Sequence, residues 1–512
     1  MNKRFSCCLT ALLFVSLVFS QSKPTPQWRP VYHFTPEKNW TNDPNGLIYL
    51  NGEYHLFNQQ NPLENNWGHM SWGHAISTDL IHWKHLPIAI PEVIDQDTTW
   101  IFSGCNVWDK NNTSGFCKTG GCLVAIYTAD QPNLKKESQF IAYSNDGGLT
   151  YTNYAHNPVL DLHLKDFRDP NVFWYPPSSR WIMIVSMPSE NKVRFYGSPD
   201  LKNWDYLSEF GPQGLSPAVW ECPFLIQLPV EGDPAEKKWV IINSVGGTNR
   251  GAFMQYFVGE FNGREFKNDN PSGLVLPVDY GDCLYAAIPW NNLPGNEKTF
   301  IGWMVPGPQK TYPWSGQMSI PRDLSLKTTK AGLRLMQKPA AVIRNNLSEL
   351  SHNQVVEIKN LKLDDGGTDL DKQHTIAGNA YWLNAEILVR PGTFAGFKIA
   401  RKKNKDNLIS AETVIAYDEK NHQLVVDRTH SGNSSEMNRD KLRQTIELPE
   451  AGENIRLDIL LDKSSLEVFV NDGKQVLSTY IFPGTDADGI TAFATGGSAT
   501  LKSAAIWNLS RP

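Results

Sequence analysis

The chain has little cysteine, little charge bias and, past its N-terminus, no long apolar run. Seven cysteines occur in 512 residues, and Cys7 and Cys8 fall in the N-terminal stretch. The other five (Cys105, Cys117, Cys122, Cys222 and Cys283) are an odd number in a long chain, which excludes a disulfide-scaffolded fold. Cys117 and Cys122 bracket a Lys-Thr-Gly-Gly turn across which they could pair in an oxidising compartment. Neither Cys nor His spacing outlines a metal site, and no cofactor is expected. Cys222 follows Glu221 with no His or Asn partner nearby, which argues against a thiol nucleophile. Lys and Arg number 48 against 53 Asp and Glu, a net charge of −5. Without a basic bias, nucleic acid is excluded as a partner. No later segment approaches the roughly 18 apolar residues of a bilayer span, so no membrane crossing is expected.

What is present begins with an export signal. Lys3 and Arg4 precede a short apolar stretch over residues 9–19, and Val18 and Ser20 suit a cleavage site. Residues 1–20 are expected to leave as a signal peptide and the mature protein to be secreted, extracellular or periplasmic. Aromatics make up 11 % of the chain, with 17 Trp. That suits a β-rich protein whose surface stacks on sugar rings, and a Trp-rich core is the structural alternative.

Apolar patterning is short-period, with turn residues every 8 to 12 positions and no sustained helical rhythm. The stretch from Gly46 to Phe57 breaks at Asn51-Gly52, a two-residue hairpin signal. Ser77-Thr-Asp79, Ser144-Asn-Asp146 and Ser198-Pro-Asp200 share a Ser-x-Asp turn with an aromatic soon after, at intervals that fit one four-stranded propeller blade each. Between these turns fall three acidic motifs: Trp40-Thr-Asn-Asp43-Pro-Asn-Gly46, Phe167-Arg-Asp169-Pro170 and Trp220-Glu221-Cys-Pro223. Their Gly, Pro and Asn content places the acids in loops. A propeller brings successive inner segments to one axis, and glycoside hydrolysis needs two such carboxylates. After about residue 340 Trp thins out. Ile455, Leu457, Ile459 and Leu461 then alternate with polar residues, and a hairpin turns at Asn471-Asp-Gly473, which predicts a second, smaller β-sandwich.

The three motifs resemble the signatures of glycoside hydrolase family 32, the invertases, inulinases and levanases. Phe57-Asn-Gln-Gln-Asn-Pro62, Trp67-Gly-His-Met-Ser-Trp-Gly-His74, Phe102-Ser-Gly104 and the stretch from Trp314 to Arg322 are similar to further family segments in the expected order, as is the tail from Asp462 to Gly473. The resemblance implies an all-β fold: a five-bladed β-propeller over 27–335, a connector over 336–350 and a β-sandwich over 351–512.

It also implies roles. Asp43 is the expected nucleophile, attacking the anomeric C2 of a terminal β-fructofuranosyl unit. Glu221 is the expected acid/base, with apolar neighbours that would desolvate its carboxyl. Asp169 is the expected transition-state stabiliser, with Arg168 beside it to pair with carboxylates or a hydroxyl. Trp40, Asn42, Gln59, Trp67, Phe102, Ser103 and Trp303 are expected to line the sugar pocket, and Asp282 to lie near it. Phe224 stands where the family usually has Asp or Gly, which suggests a reshaped leaving-group side. The implied activity is retaining hydrolysis of fructans (levan, inulin) and sucrose, with the two catalytic carboxyls about 5 to 5.5 Å apart. A fructosyltransferase would share the first step, and loss of catalysis would leave a fructan-binding protein.

Overall fold

The computed structural model describes residues 25–509 except 96, 250, 296, 307–310, 374–375, 377, 407 and 433–440. The expected signal peptide lies outside the described residues. The fold is all-β, a propeller followed by a sandwich. Each propeller blade is a four-stranded antiparallel meander that starts at the central axis. The innermost strands are Asn39–Leu50, Trp100–Asp109, Arg168–Tyr175, Val219–Val230 and Leu284–Pro289. The fourth and fifth blades touch through one parallel bridge, Val230 to Leu326. Trp314 and Ser315, from a connection in the fifth blade, pair in parallel with Asn39 and Trp40 of the first and close the ring.

Local chemistry explains why the blades repeat. Asn51 and Gly52 both take positive φ (53° and 92°) between strands paired at Leu50 and Glu53. Two left-handed residues in succession make the hairpin turn whose twist matches that of the strands. Each Ser-x-Asp turn joins the third strand of its blade to the fourth. In the first, Asp79 Oδ1 accepts from the Ile81 and His82 amides at 2.9 and 2.8 Å, and Asp200 does the same for Lys202 and Asn203 in the third. In the fourth blade Asn262 takes this place, accepting from Arg264 and Glu265 at 2.9 Å each. In the fifth it is Thr329, accepting from Ala331 at 3.1 Å. The Ser-x-Asp repeat is therefore confined to three blades although the turn recurs in five. Cys117 and Cys122 are joined by a disulfide, with Cα atoms 5.0 Å apart.

The strand Gly332–Pro339 pairs with Arg322–Thr329 along its whole length, so residues 336–339, expected in the connector, form part of the fifth blade. Two short helices, Ala341–Asn345 and Leu347–Leu350, lead into the sandwich. Its two six-stranded sheets enclose Ile455, Leu457, Ile459 and Leu461, each fully buried.

The two domains meet through buried ions. Asp462 of the sandwich accepts from the amides of Val31, Tyr32 and His33 at 2.6, 2.9 and 3.0 Å and pairs with His33 Nδ1 at 2.8 Å. Glu467 pairs with His33 Nε2 at 2.9 Å and with Arg322 at 2.6 Å, and Arg322 also holds Asp279 at 3.0 Å. No helix among the described residues is long and apolar enough to cross a membrane.

Candidate active site

All five innermost strands slip register in their opening residues, at one end of the axis. The shifts fall between Thr41 and Pro44, Ile101 and Gly104, Arg168 and Asn171, Glu221 and Phe224, and Tyr285 and Ile288. The acids therefore do not sit in loops, as their Pro-rich context suggests, but on strand bulges. The prolines supply the reason in three blades. Pro44, Pro170 and Pro223 follow Asp43, Asp169 and Cys222, and a residue without an N–H cannot continue the ladder. A bulge there turns the preceding side chain toward the axis. Asp169, Cys222 and Ala286 adopt positive φ of 65°, 47° and 51°.

Asp43 is held from three sides. Ser103 Oγ donates to its Oδ2 at 2.6 Å, Gln59 Nε2 donates to the same oxygen at 3.4 Å, and Asn42 Nδ2 donates to Oδ1 at 3.2 Å. Gln59 also donates to Ser103 and receives from Asn42 at 3.0 Å, so the amides and hydroxyl form one net. Trp40 Nε1 donates to Asn42 Oδ1 at 2.9 Å. Burial raises the Asp43 carboxyl above its ordinary range, the Ser103 bond works against it, and the charge of Glu221 raises it further.

Asp169 is more enclosed. Its Oδ2 accepts from the Cys222 amide at 2.9 Å, and its own amide donates to Thr128 Oγ1 at 2.9 Å. Burial pushes its carboxyl well above the ordinary range; Arg168 opposes this, while Glu221 and Asp43 add to it. The Cys222 thiol lies 3.5 Å from Asp43 and 3.6 Å from Asp169, and burial among those charges keeps it protonated. It is a donor between two acids.

Glu221 departs from expectation in its surroundings. Its flanking Trp220 and Phe224 are fully buried in the cores between blades, and its carboxyl, about a quarter exposed, meets polar groups instead. Arg168 donates to Oε1 through Nε at 3.1 Å and Nη2 at 2.9 Å, while Tyr285 Oη donates to Oε2 at 2.5 Å. Behind Arg168, Glu137 accepts from Nη1 at 3.1 Å. Burial lifts the Glu137 carboxyl to about 7 even against Arg168. Phe224 thus faces the core and not the leaving-group side, fully buried in the cluster that holds Leu47, Ile242 and Met318. Asp282 also lies elsewhere, bound to Arg428 at 2.8 Å and Thr479 at 2.7 Å of the sandwich.

The remaining expected residues surround the acids in two aromatic groups. Trp40 and Trp303 meet edge to face at 5.8 Å, and Trp67 packs on Trp100 and Phe102 at 5.2 and 6.2 Å. Trp67 is half exposed, a flat apolar surface open to a ring. Tyr285, Thr128 and Glu137 are additions from the structure. Tyr285 lies three residues after the suspected Asp282, whereas nothing in the local sequence marks Thr128 or Glu137. Among the described residues no group of three His, Cys, Asp or Glu side chains is arranged to hold a metal ion.

Three converging carboxylates, one paired with a guanidinium and a phenol and two turned toward amides and a hydroxyl, define a site of the glycosidase class. The comparisons narrow this. Residues 33–339 match the N-terminal domain and 346–508 the C-terminal domain of glycosyl hydrolases family 32. The chain is 43 % identical over 94 % of its length to a levanase of Bacillus subtilis, covering 71 % of that protein. It is 36 % identical over 97 % of its length to an extracellular exo-inulinase of Aspergillus awamori, covering 98 % of it. The crystal structure of an exo-inulinase from Aspergillus awamori superposes with a TM-score of 0.84 at 36 % identity, covering 96 % of this chain and 99 % of that one. A fructofuranosidase from Schwanniomyces occidentalis complexed with fructosylnystose gives 0.84 at 30 %, covering 95 % and 98 %. The chain belongs to glycoside hydrolase family 32 and is a glycoside hydrolase.

Proposed function

We propose that the protein is a secreted, retaining β-fructofuranosidase that removes terminal fructose from fructans and sucrose. The observation that carries this reading is the division of labour among the acids. Asp43 Oδ2 is engaged by Ser103, Gln59 and Cys222, while among the described residues Oδ1 accepts only the long bond from Asn42 and keeps lone pairs for attack. In the first step a bond forms between Asp43 Oδ1 and C2 of the fructosyl unit as the bond from C2 to the leaving oxygen breaks. Glu221 gives its proton to that oxygen. Water then attacks C2, Glu221 takes its proton, and the Asp43 ester is released. Arg168 and Tyr285 fix the Glu221 carboxyl through both phases. Asp169 offers an acceptor for fructose hydroxyls whose bonds strengthen as charge develops on the ring.

The substrate assignment is supported by relatives named levanase and exo-inulinase and by a neighbour solved with fructosylnystose. Export is supported by exo-inulinases named extracellular and by the Cys117–Cys122 disulfide, a bond that persists in oxidising compartments. Asp43→Ala and Glu221→Ala should each cut sucrose turnover by orders of magnitude. With methanol as acceptor the wild-type enzyme should give the β-methyl fructoside. Near-normal turnover in either variant, or the α-methyl product, would overturn the mechanism.

A further inference from the structure

A second cavity, of about 590 Å³, opens where the innermost strands end. Its position follows from the blades. Tyr175 lies six residues beyond Asp169 on one inner strand, and Gln227 six beyond Glu221 on the next. At ~3.3 Å per residue, that end of the cavity lies about 20 Å from the acids, at the opposite mouth of the axis, while Asn171, two residues beyond Asp169, forms its inner end. Its size falls within the roughly 300–1,000 Å³ of small-molecule sites.

Its walls have a consistent chemistry. Phe173 and Tyr175 of the third blade stand 5.5 and 6.0 Å from Trp239 of the fourth, presenting contiguous aromatic faces. Asn171 reaches in from the depth. Among the described residues its side-chain amide makes no hydrogen bond, and neither does that of Gln227, partly exposed at the same wall. Two amides free of protein partners, facing a shared space between aromatic walls, offer donors and acceptors to ligand hydroxyls. Among the described lining residues charge is confined to Glu297 and Lys298, neighbours of opposite sign. Neutral amides and aromatic faces with no cation surplus suit an uncharged polyol and not a phosphate or nucleotide.

We propose that this cavity is a second, non-catalytic carbohydrate site that binds a sugar unit of a fructan chain. The proposal rests on the β-fructofuranosidase reading for the identity of the polymer. Its use follows from effective concentration: an enzyme tethered to a polymer at one mouth of the propeller meets chain ends at the other more often than a free one.

The test separates the two claims. In the full chain, Gln227→Leu and Trp239→Ala are each made in the active enzyme and in a Glu221→Gln background. Retardation in gels containing levan or inulin is read for the inactive proteins, and kcat/KM on sucrose and on polymer for the active ones. Loss of one amide contact should weaken retardation about threefold to tenfold and lower polymer kcat/KM in step, with sucrose kcat/KM unchanged. Equal retardation for the parent and for variants that keep its unfolding midpoint would overturn the site. Should Trp239→Ala not fold, Gln227→Leu, which keeps the side chain's bulk, decides alone. An enzyme inert toward sucrose and fructans would instead overturn the function, and retardation would still report on the cavity.

Discussion

Raising the pH from about 6.5 to 9 should loosen the propeller from its sandwich, and His33 sets that range. Burial alone would push its imidazolium down. The bonds to Asp462 at 2.8 Å and Glu467 at 2.9 Å, with the charges behind them, outweigh burial and raise the group from 6.5 to about 9. The difference, 9 − 6.5 = 2.5, at about 1.36 kcal/mol per unit amounts to about 3.4 kcal/mol. Because the folded value is the higher one, this stabilisation is complete below the unfolded value of 6.5 and is lost as pH rises through 9. Arg322, which also serves Glu467, stays charged throughout, so the pH dependence belongs to His33. Urea unfolding of wild type and His33→Gln between pH 6 and 9.5 measures it. The wild-type curve should fall about 1.4 kcal/mol per pH unit more steeply than the variant's between 6.5 and 9, and run parallel to it below 6.5. Parallel curves across the whole range would refute the argument, since they would mean a neutral imidazole between two carboxylates balanced by Arg322 alone.

Other outcomes follow from the site. Asp43 must be ionised to attack, and burial raises it above its ordinary 3.8, so the acid limb of kcat/KM on sucrose should lie above pH 3.8; a profile flat down to pH 3.5 contradicts this. Tyr285→Phe removes one bond to Glu221, and a bond to a charged group is worth about 1.5–3 kcal/mol. Steady-state kinetics should show kcat down tenfold or more with KM little changed. Thr128→Val leaves the Asp169 amide unpaired in a buried place and should lower stability by about 1–3 kcal/mol, together with kcat, while Thr128→Ser restores both.

Much of the fold was legible because its rules are local. The Asn51-Gly52 turn and the one-sided burial of Ile455 to Leu461 are written in contiguous residues. The blade repeat was visible only where Ser-x-Asp makes the turn, and Asn262 and Thr329 hid it in the last two blades by doing the same work with other side chains. At the site, residues inside the acidic motifs could be named, whereas Thr128, Glu137 and Tyr285 could not. Their partners lie 41, 31 and 64 residues away, and such contacts depend on how blades are rotated about the axis. Phe224 and Asp282 misled for a related reason. Each is placed by groups distant in sequence, Phe224 in the core cluster that includes Leu47 and Met318 and Asp282 on Arg428 and Thr479 of the sandwich, and neither residue's neighbours in sequence show them.

The bulges also explain how rigid geometry is obtained from five separate sheets. Each one breaks a ladder and frees a backbone amide, which must then find another acceptor. The Asp169 amide finds Thr128 of the second blade, the Cys222 amide finds Asp169 of the third, and the Ala286 amide finds Ser244 of the fourth at 2.8 Å. Ser103 of the second blade reaches back to Asp43 of the first. The amides lost to the ladders thus become links from blade to blade around the axis. Positive φ at Asp169, Cys222 and Ala286 costs roughly 1–2 kcal/mol each, and these links hold the strain in place. The acids inherit their positions from this ring. A change in how two blades pack must therefore move a carboxylate, which is why the chemistry of this enzyme depends on residues far from it in sequence.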